Sequence, residues 1–527
     1  MNSVELVLVL LASSAVLSIA AERVHLPHPI VLVFGGVALA FIPGVPRLEI
    51  EPEIVLVLFL PPLLFSAAWL TSWREFRTNL RTIGLLAIGL VVATTVGVAA
   101  VAHALIPGLP WPLAFVLGAI VSPPDAVAAT SVMQRLRVPP RLVTILEGES
   151  LVNDATGLVA YQVALAVVMG AQFSPSGALT QFAVVGIGGC AFGLVIGWVI
   201  AKLHRWLGES EIEIAVSLLT PYLAYIPAEH LGVSGVLAAV TAGGYLGWRS
   251  PQLFTPLSRL RNRSVWGAVL LVMNNLVFIL LGLELAGTHR LLASLSTAGL
   301  VTWCAAIAGT TIVIRLLWVP IALIVPWRLS ARIRRREAAP AWKDAAVIAW
   351  TAMRGIVSLA LVLALPEVLP DGSPFPFRDL IVLVVFVVIA VTLVGQGLSL
   401  PFVIRALGFV DDGSGARQRT DALRQGTANA LARLDGLAAA AETPPRMVEI
   451  VRTIYTRRQD RLAASASADA AAPDADVAGD AFRELRAQLI EIERTTYVAL
   501  RDAGTISEEN LQHLQRDLDI EALQRGR

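Results

Sequence analysis

The sequence predicts an all-α membrane protein with about 13 transmembrane helices and a helical tail, and three observations carry that prediction. Of 527 residues, 56% are hydrophobic and only 15% are charged. With a mean hydropathy of +0.70, a water-soluble fold of this length could not hide so much apolar surface, whereas a bilayer can. The apolar residues fall in runs of bilayer-spanning length. The basic residues concentrate in alternate loops between those runs.

Taken in order, the runs cover about 4–21, 29–45, 53–70, 82–106, 111–133, 143–170, 178–203, 211–230, 232–248, 264–286, 294–325, 344–366 and 378–404. The second and ninth are short, and Pro320 leaves a bend or tilt open in the eleventh. The first has no basic residue before it and no exit to a mature domain, so it reads as a span and not as a cleaved signal. With the amino terminus outside, the inward loops hold nineteen basic residues. These are Arg23; Arg74, Arg77, Arg81; Arg135, Arg137, Arg141; Lys202, Arg205; Arg249, Arg259, Arg261, Arg263; and Arg328, Arg332, Arg334, Arg335, Arg336, Lys343. The outward loops hold three, Arg47, Arg290 and Arg378. One span too many or too few would scramble that asymmetry, so residues 1–407 read as a membrane domain with its amino terminus out and its carboxyl terminus in.

From residue 408 to 527 the composition turns to Ala, Arg, Asp, Glu and Gln. Helical patterns are predicted at 418–441, 446–463, 480–503 and 507–524, and Thr443-Pro444-Pro445 separates the first two. Ala463–Ala478 reads as a flexible linker. Leu485, Leu489, Ile492 and Val498 form a stripe for helix packing. The tail reads as cytosolic, either a small structured appendage or a regulatory or dimerising one.

Net charge is +1, which gives no bulk attraction for nucleic acid. Cys190 and Cys304 lie in separate apolar runs, where small packing residues are the plain reading, and no metal cluster or disulfide framework is expected. No nucleophile constellation points to an enzyme, and no cofactor is expected.

The informative residues are ionisable groups inside apolar runs, each costly there without a partner, water or a function. In the sixth run, Glu149, Ser150, Asn153 and Asp154 fall on neighbouring strips of one helix with no basic residue near. Desolvation disfavours the charged form of such a lone carboxylate, so Asp154 can trade a proton for a cation. In the fifth run, Ser122-Pro123-Pro124-Asp125 removes two backbone donors at mid-span, and such a break survives in hydrocarbon only where it lines a cavity or site. Asp125 then either ligates an ion or offsets the exposed end of the second half-helix. In the twelfth run Arg354-Gly355 has a related character. Interruptions in two halves of a chain are a sign of an inverted-repeat transporter, although no residue-level repeat is visible. Arg315, in the eleventh run, needs a carboxylate; Glu149 is the expected one, with Arg354 as the second candidate for Glu149. His103, His230 and Glu284 lie near run ends and read as interfacial.

Gly148-Glu149-Ser150-Leu151-Val152-Asn153-Asp154 resembles the signature of the monovalent cation:proton antiporters, the family of the bacterial NhaP-type and animal NHE-type exchangers. Phe59-Leu60-Pro61-Pro62-Leu63-Leu64-Phe65, Ser122–Val127, Met353-Arg354-Gly355 with Ser358-Leu359-Ala360, and Asn274 with Phe278 and Gly282 follow in the same order. The resemblance covers about residues 1–407 and leaves the tail aside. It implies a homodimer embedded in lipid, an elevator-like core, two crossed unwound spans and Na+ (or Li+) exchanged for H+. It further implies a cation on Asp154 and Ser150 with fifth-span carbonyls and Asp125 nearby, Asn153 holding the break, and Glu149 paired with a core arginine. The Asn-Asp form implies electroneutral exchange. Two positions depart from the pattern: Pro124 stands where some relatives carry a threonine, and Ser66 where an acid is common. Potassium/proton exchange is the alternative within the family, and a cation channel the remote one.

Overall fold

The computed structural model describes residues 3–24, 28–41, 52–126, 129–130, 132–133, 136, 138–171, 175–207, 210–287, 296–335, 339–409, 414–440, 444–464 and 480–524. Among these the regular elements are helices, and the only β feature is an isolated bridge between Val368 and Pro374. Of the basic residues counted for orientation, Arg47, Arg135, Arg137, Arg290 and Arg336 lie outside the described residues, as does the end of the second run.

The chain divides into two compact units. The first comprises Met1–Leu207, Ala215–Arg249 and Ser264–Val410. Its helices follow the apolar runs closely: α1 Ser3–Val24, α2 His28–Ala40, α3 Pro52–Leu70, α4 Leu80–Leu105, α5 Trp111–Val121, α6 Pro140–Val168 and α7 Pro175–His204. Next come α8 Ser210–His230, α9 Gly235–Leu253, α10 Pro256–Gly287 and α11 Thr297–Leu329, then α12 Trp342–Trp350, α13 Ile356–Leu363 and α14 Arg378–Ala406. Segments of α4, α6, α7, α10, α11 and α14 are long and apolar enough to cross a membrane.

Local chemistry explains the ends. Pro112 and Pro140 sit in first turns, where a missing N–H removes no helical bond. The Ser296 hydroxyl accepts the Gly299 N–H at 3.2 Å and caps α11. That helix runs through Pro320 without a break. Phe377, just before α14, has φ 59°, a left-handed conformation uncommon for an aromatic residue. Two stretches widen to π-helix, Leu85–Leu90 in α4 and Val391–Gln396 in α14. π-turns of this kind recur where a protein re-aims side chains at a site.

Two interruptions matter most. α5 stops at Val121, and Ser122–Ala126 carry no helix. The twelfth run is split into α12 and α13 by five non-helical residues, Thr351–Gly355. An apolar cluster containing Ile120, Val121, Leu158, Tyr161, Leu359 and Val384 packs α5, α6, α13 and α14 together. A second, with Ala126, Leu146, Val319, Ile348, Met353 and Leu400, joins the far sides of the breaks to α6, α11, α12 and α14. Both broken segments are therefore enclosed by packed helices, the condition under which irregular backbone is tolerated at membrane depth.

The second unit comprises Gly208–Ile214, Ser250–Arg263 and Asp411–Arg527. Its helices α15 Ser414–Ala440, α16 Pro445–Ala464, α17 Asp480–Ala503 and α18 Glu508–Gln524 match the predicted patterns. Leu489 is buried and Ile492 packs in the same apolar cluster, while Val498 packs in another with Tyr497 and Leu514. The linker predicted over Ala463–Ala478 begins in the last two residues of α16, and from residue 465 on it lies outside the described residues, as do the Leu485 side chain and Thr443. Asp519, itself buried, accepts from Arg259 through Nε at 2.9 Å and through Nη2, and from Arg494 Nη2 at 3.1 Å. Arg261 pairs with Glu211 in the same unit.

Candidate functional site

The first unit gathers its buried charges around the two breaks. On α6, Glu149 and Asn153 are 1% and 0% exposed, and Asp154 is 9% exposed. Asn153 Nδ2 donates to the Pro124 carbonyl at 2.8 Å, and Ser150 Oγ accepts the Ala126 N–H at 3.4 Å. Two side chains one turn apart thus satisfy backbone groups that the interrupted helix leaves without helical partners. Ser122 Oγ donates to the Ala119 carbonyl at 3.0 Å, turning back on its own helix. Asp125 sits between these anchors, and its N–H donates to the Met353 carbonyl at 2.7 Å, which joins one break to the other.

The two buried arginines are both occupied. Arg315 forms a bidentate ion pair with Glu149, with Nη2–Oε2 at 2.9 Å and Nη1 on Oε1, and its Nε donates to the Ile348 carbonyl at 3.1 Å. Arg354 meets carbonyls instead: Nε donates to Val121 at 2.6 Å and Nη1 to Ala352 at 2.5 Å. Those carbonyls are orphans of the interrupted helices, and the guanidinium supplies the donors they lost. The Arg354 N–H itself donates to Thr392 Oγ1 at 3.1 Å, on the π-helical turn of α14.

Asp154 differs from all of these. Among the described residues no arginine or lysine pairs with it. The oxygens that the residues offer a small hard cation here are the Asp154 and Asp125 carboxylates, Ser150 Oγ and the carbonyls of the fifth-run break. Pro124, in the place of a threonine, contributes only its carbonyl, and one lone pair of that oxygen is already held by Asn153.

The residues flagged at run ends lie apart. His103 stacks on Trp111, with ring centroids 4.3 Å apart, and its Nδ1 lies 2.7 Å from the Leu109 carbonyl. His230 Nδ1 lies 2.8 Å from the Ile226 carbonyl on an exposed turn, and the Glu284 side chain lies outside the described residues. Ser66 donates to the Leu63 carbonyl at 2.8 Å. Three contributors went unremarked in the sequence. Thr392 receives Arg354, Tyr161 donates to the Ala364 carbonyl at 2.9 Å, and the Gln396 amide is buried with neither atom bonded among the described residues. The signal for Gln396 was present, since it is an amide inside an apolar run; threonine and tyrosine are too common in membrane helices to stand out.

Residues 8–406 match the model of the sodium/hydrogen exchanger transmembrane family. An uncharacterized Na(+)/H(+) exchanger of Mycobacterium tuberculosis is 33% identical over 524 residues, covering 98% of this chain and 95% of that protein. A sodium, potassium, lithium and rubidium/H(+) antiporter of Bacillus pumilus is 33% identical over 406 residues, covering 75% and 60%. The sodium proton antiporter MjNhaP1 of Methanocaldococcus jannaschii shares the fold with a TM-score of 0.60 at 19% identity, over 77% of this chain and 99% of that one. With its apolar helices, its broken spans and its residues 8–406 matched, the chain belongs to the sodium/hydrogen exchanger family.

Proposed function

We propose that this multi-pass membrane antiporter exchanges Na+ for H+ one for one, by competition of the two cations for the Asp154 carboxylate. The observation that carries the reading is the balance of buried charge. Glu149 and Asp154 are buried carboxylates with the half-buried Asp125 beside them, and of the two buried guanidinium groups Arg315 is committed to Glu149 and Arg354 to carbonyls. One negative charge is left over, at a buried acid without a basic partner among the described residues. A proton or a monovalent cation cancels it, and both together leave an excess of one positive charge. A bare carboxylate at membrane depth costs about 3 kcal/mol or more, so the core crosses only when loaded. Exchange then needs neither nucleotide nor cofactor.

The same reading takes the chain as thirteen spans in inverted repeats, amino terminus out and carboxyl terminus in, with a cytosolic tail. It takes residues 1–407 as the transporting domain, working as a homodimer in the cell membrane with an elevator-like core. Ser150, Ser122, Pro124 and Asp125 line the cation's place, Asn153 holds it open, and Glu149, Arg315 and Arg354 fix the surrounding charge. Potassium remains the second cation to test, because the Bacillus pumilus relative carries several alkali ions in its name.

The experiment is a pH-recovery assay in proteoliposomes with sodium, lithium and potassium supplied in turn. Asp154→Asn should abolish cation-dependent proton movement for each, and imposed voltage should leave the native rate unchanged. Full exchange by Asp154→Asn overturns the proposal; strong voltage dependence overturns its one-for-one stoichiometry.

A further inference from the structure

The Asp125 side chain has an unusual seat. A β-carbon built on Gly355 would lie 1.7 Å from Asp125 Oδ2, 2.4 Å from its Cγ and 2.5 Å from its Cβ. All three nearest atoms belong to that one aspartate, so the volume a methyl group would take at residue 355 is filled by the carboxylate and by nothing else closer. Gly355 has φ −140°, a value open to any residue, so the position demands space and not left-handed freedom.

The backbone around Asp125 cannot retreat. The Pro124 carbonyl is held by Asn153, the Asp125 N–H by the Met353 carbonyl, and the Ala126 N–H by Ser150. Three consecutive residues are tied to two different segments, so a β-carbon at residue 355 would have to be met by the Asp125 side-chain torsions and not by its backbone. The hydrogen on Gly355 is thus one wall of the seat in which the Asp125 oxygens rest.

We infer that Gly355 is a specificity-determining residue: by lacking a β-carbon it seats the Asp125 carboxylate against the broken twelfth run and so fixes the size of the cation's place opposite Asp154. The inference rests on the exchange reading above. Discrimination between sodium and potassium depends on cavity size and on the number and rigidity of the oxygens that meet the ion. Substitution by alanine drives the carboxylate out of its seat, while the hydrogen bonds that hold the break and the Asp154 proton site stay in place.

The test uses the full-length protein in proteoliposomes and in detergent. Gly355→Ala should raise the apparent KM for Na+ by about tenfold or more, a 1 Å misplacement being enough for such losses, and should change the Li+:Na+:K+ rate ratios, with the saturating rate much less affected. Gly309→Ala, on α11 with no atom near the added methyl, is the control and should change neither. Gly355→Ala should also lower Tm, and the same substitution in an Asp125→Ser background should lower it far less, because the shorter side chain vacates the seat. Should Gly355→Ala fail to assemble, the double variant should restore assembly; a double variant that also fails overturns the inference. So does an unchanged KM and ion ratio in Gly355→Ala, or an equal loss of Tm in both backgrounds. Retained exchange by Asp154→Asn would instead remove the underlying reading, whatever residue 355 does.

Discussion

Breaking the Glu149–Arg315 pair tests whether the core is held by charge or by packing. Both side chains are almost fully enclosed, at 2% and 1% exposure, and Arg315 makes contacts to both Glu149 oxygens and to the Ile348 carbonyl. Truncating Glu149 to leucine leaves a guanidinium with one carbonyl and no counter-charge. Removing one partner of such a pair costs about 3–5 kcal/mol, whereas replacing both with apolar groups of similar volume is often neutral. The expected pattern is therefore a strong loss of Tm in Glu149→Leu and in Arg315→Met, with most of it recovered in the double variant. The measurement is thermal unfolding in detergent, read as a double-mutant cycle. Transport separates structure from charge balance. Glu149→Leu alone shifts the buried balance by one positive charge and should weaken cation binding, and the double variant restores the balance. A Glu149→Leu protein as stable as the native one, or a double variant as unstable as the two single losses added together, would refute the reasoning.

Two further outcomes follow from individual contacts. Asn153→Ala strips the Pro124 carbonyl of its buried donor, which should destabilise by about 1–3 kcal/mol; the same variant should lose cation affinity more than proton affinity, read from KM at two pH values. Asp519→Ala leaves Arg259 and Arg494 without their shared carboxylate in the second unit, so limited proteolysis of the full-length protein should cut within Glu508–Gln524 faster than in the native chain, with α16 unaffected.

Much of this was readable from residues alone, for reasons that differ by element. The apolar runs marked the helices because a bilayer demands unbroken hydrophobic length, and α3, α6 and α14 begin within about three residues of their expected starts. Pro123-Pro124 announced the first break, since two missing N–H groups cannot be hidden in a helix. Arg315 and Glu149 were matched by elimination, an arginine in hydrocarbon having few acids to choose from. The partners of Arg354 were not legible: it binds carbonyls of Val121 and Ala352, and backbone oxygens leave no trace in side-chain chemistry. The Gly355 seat was hidden for the same reason, because it depends on how closely the two interrupted segments approach. Nor did helical pattern reveal that residues 208–214 and 250–263 join the tail, since charged loop ends look alike whether solvated or docked.

The make-up of that second unit bears on how the protein is produced. Its pieces leave the ribosome at very different times: residues 208–214 and 250–263 are synthesised long before Asp519 exists to receive Arg259. Closure of this body must wait until the last helix has been translated, and a tail expressed alone would lack two of its three segments. A premature stop before Glu508 would thus leave Arg259 without the carboxylate that Asp519 supplies, and the second unit unable to close.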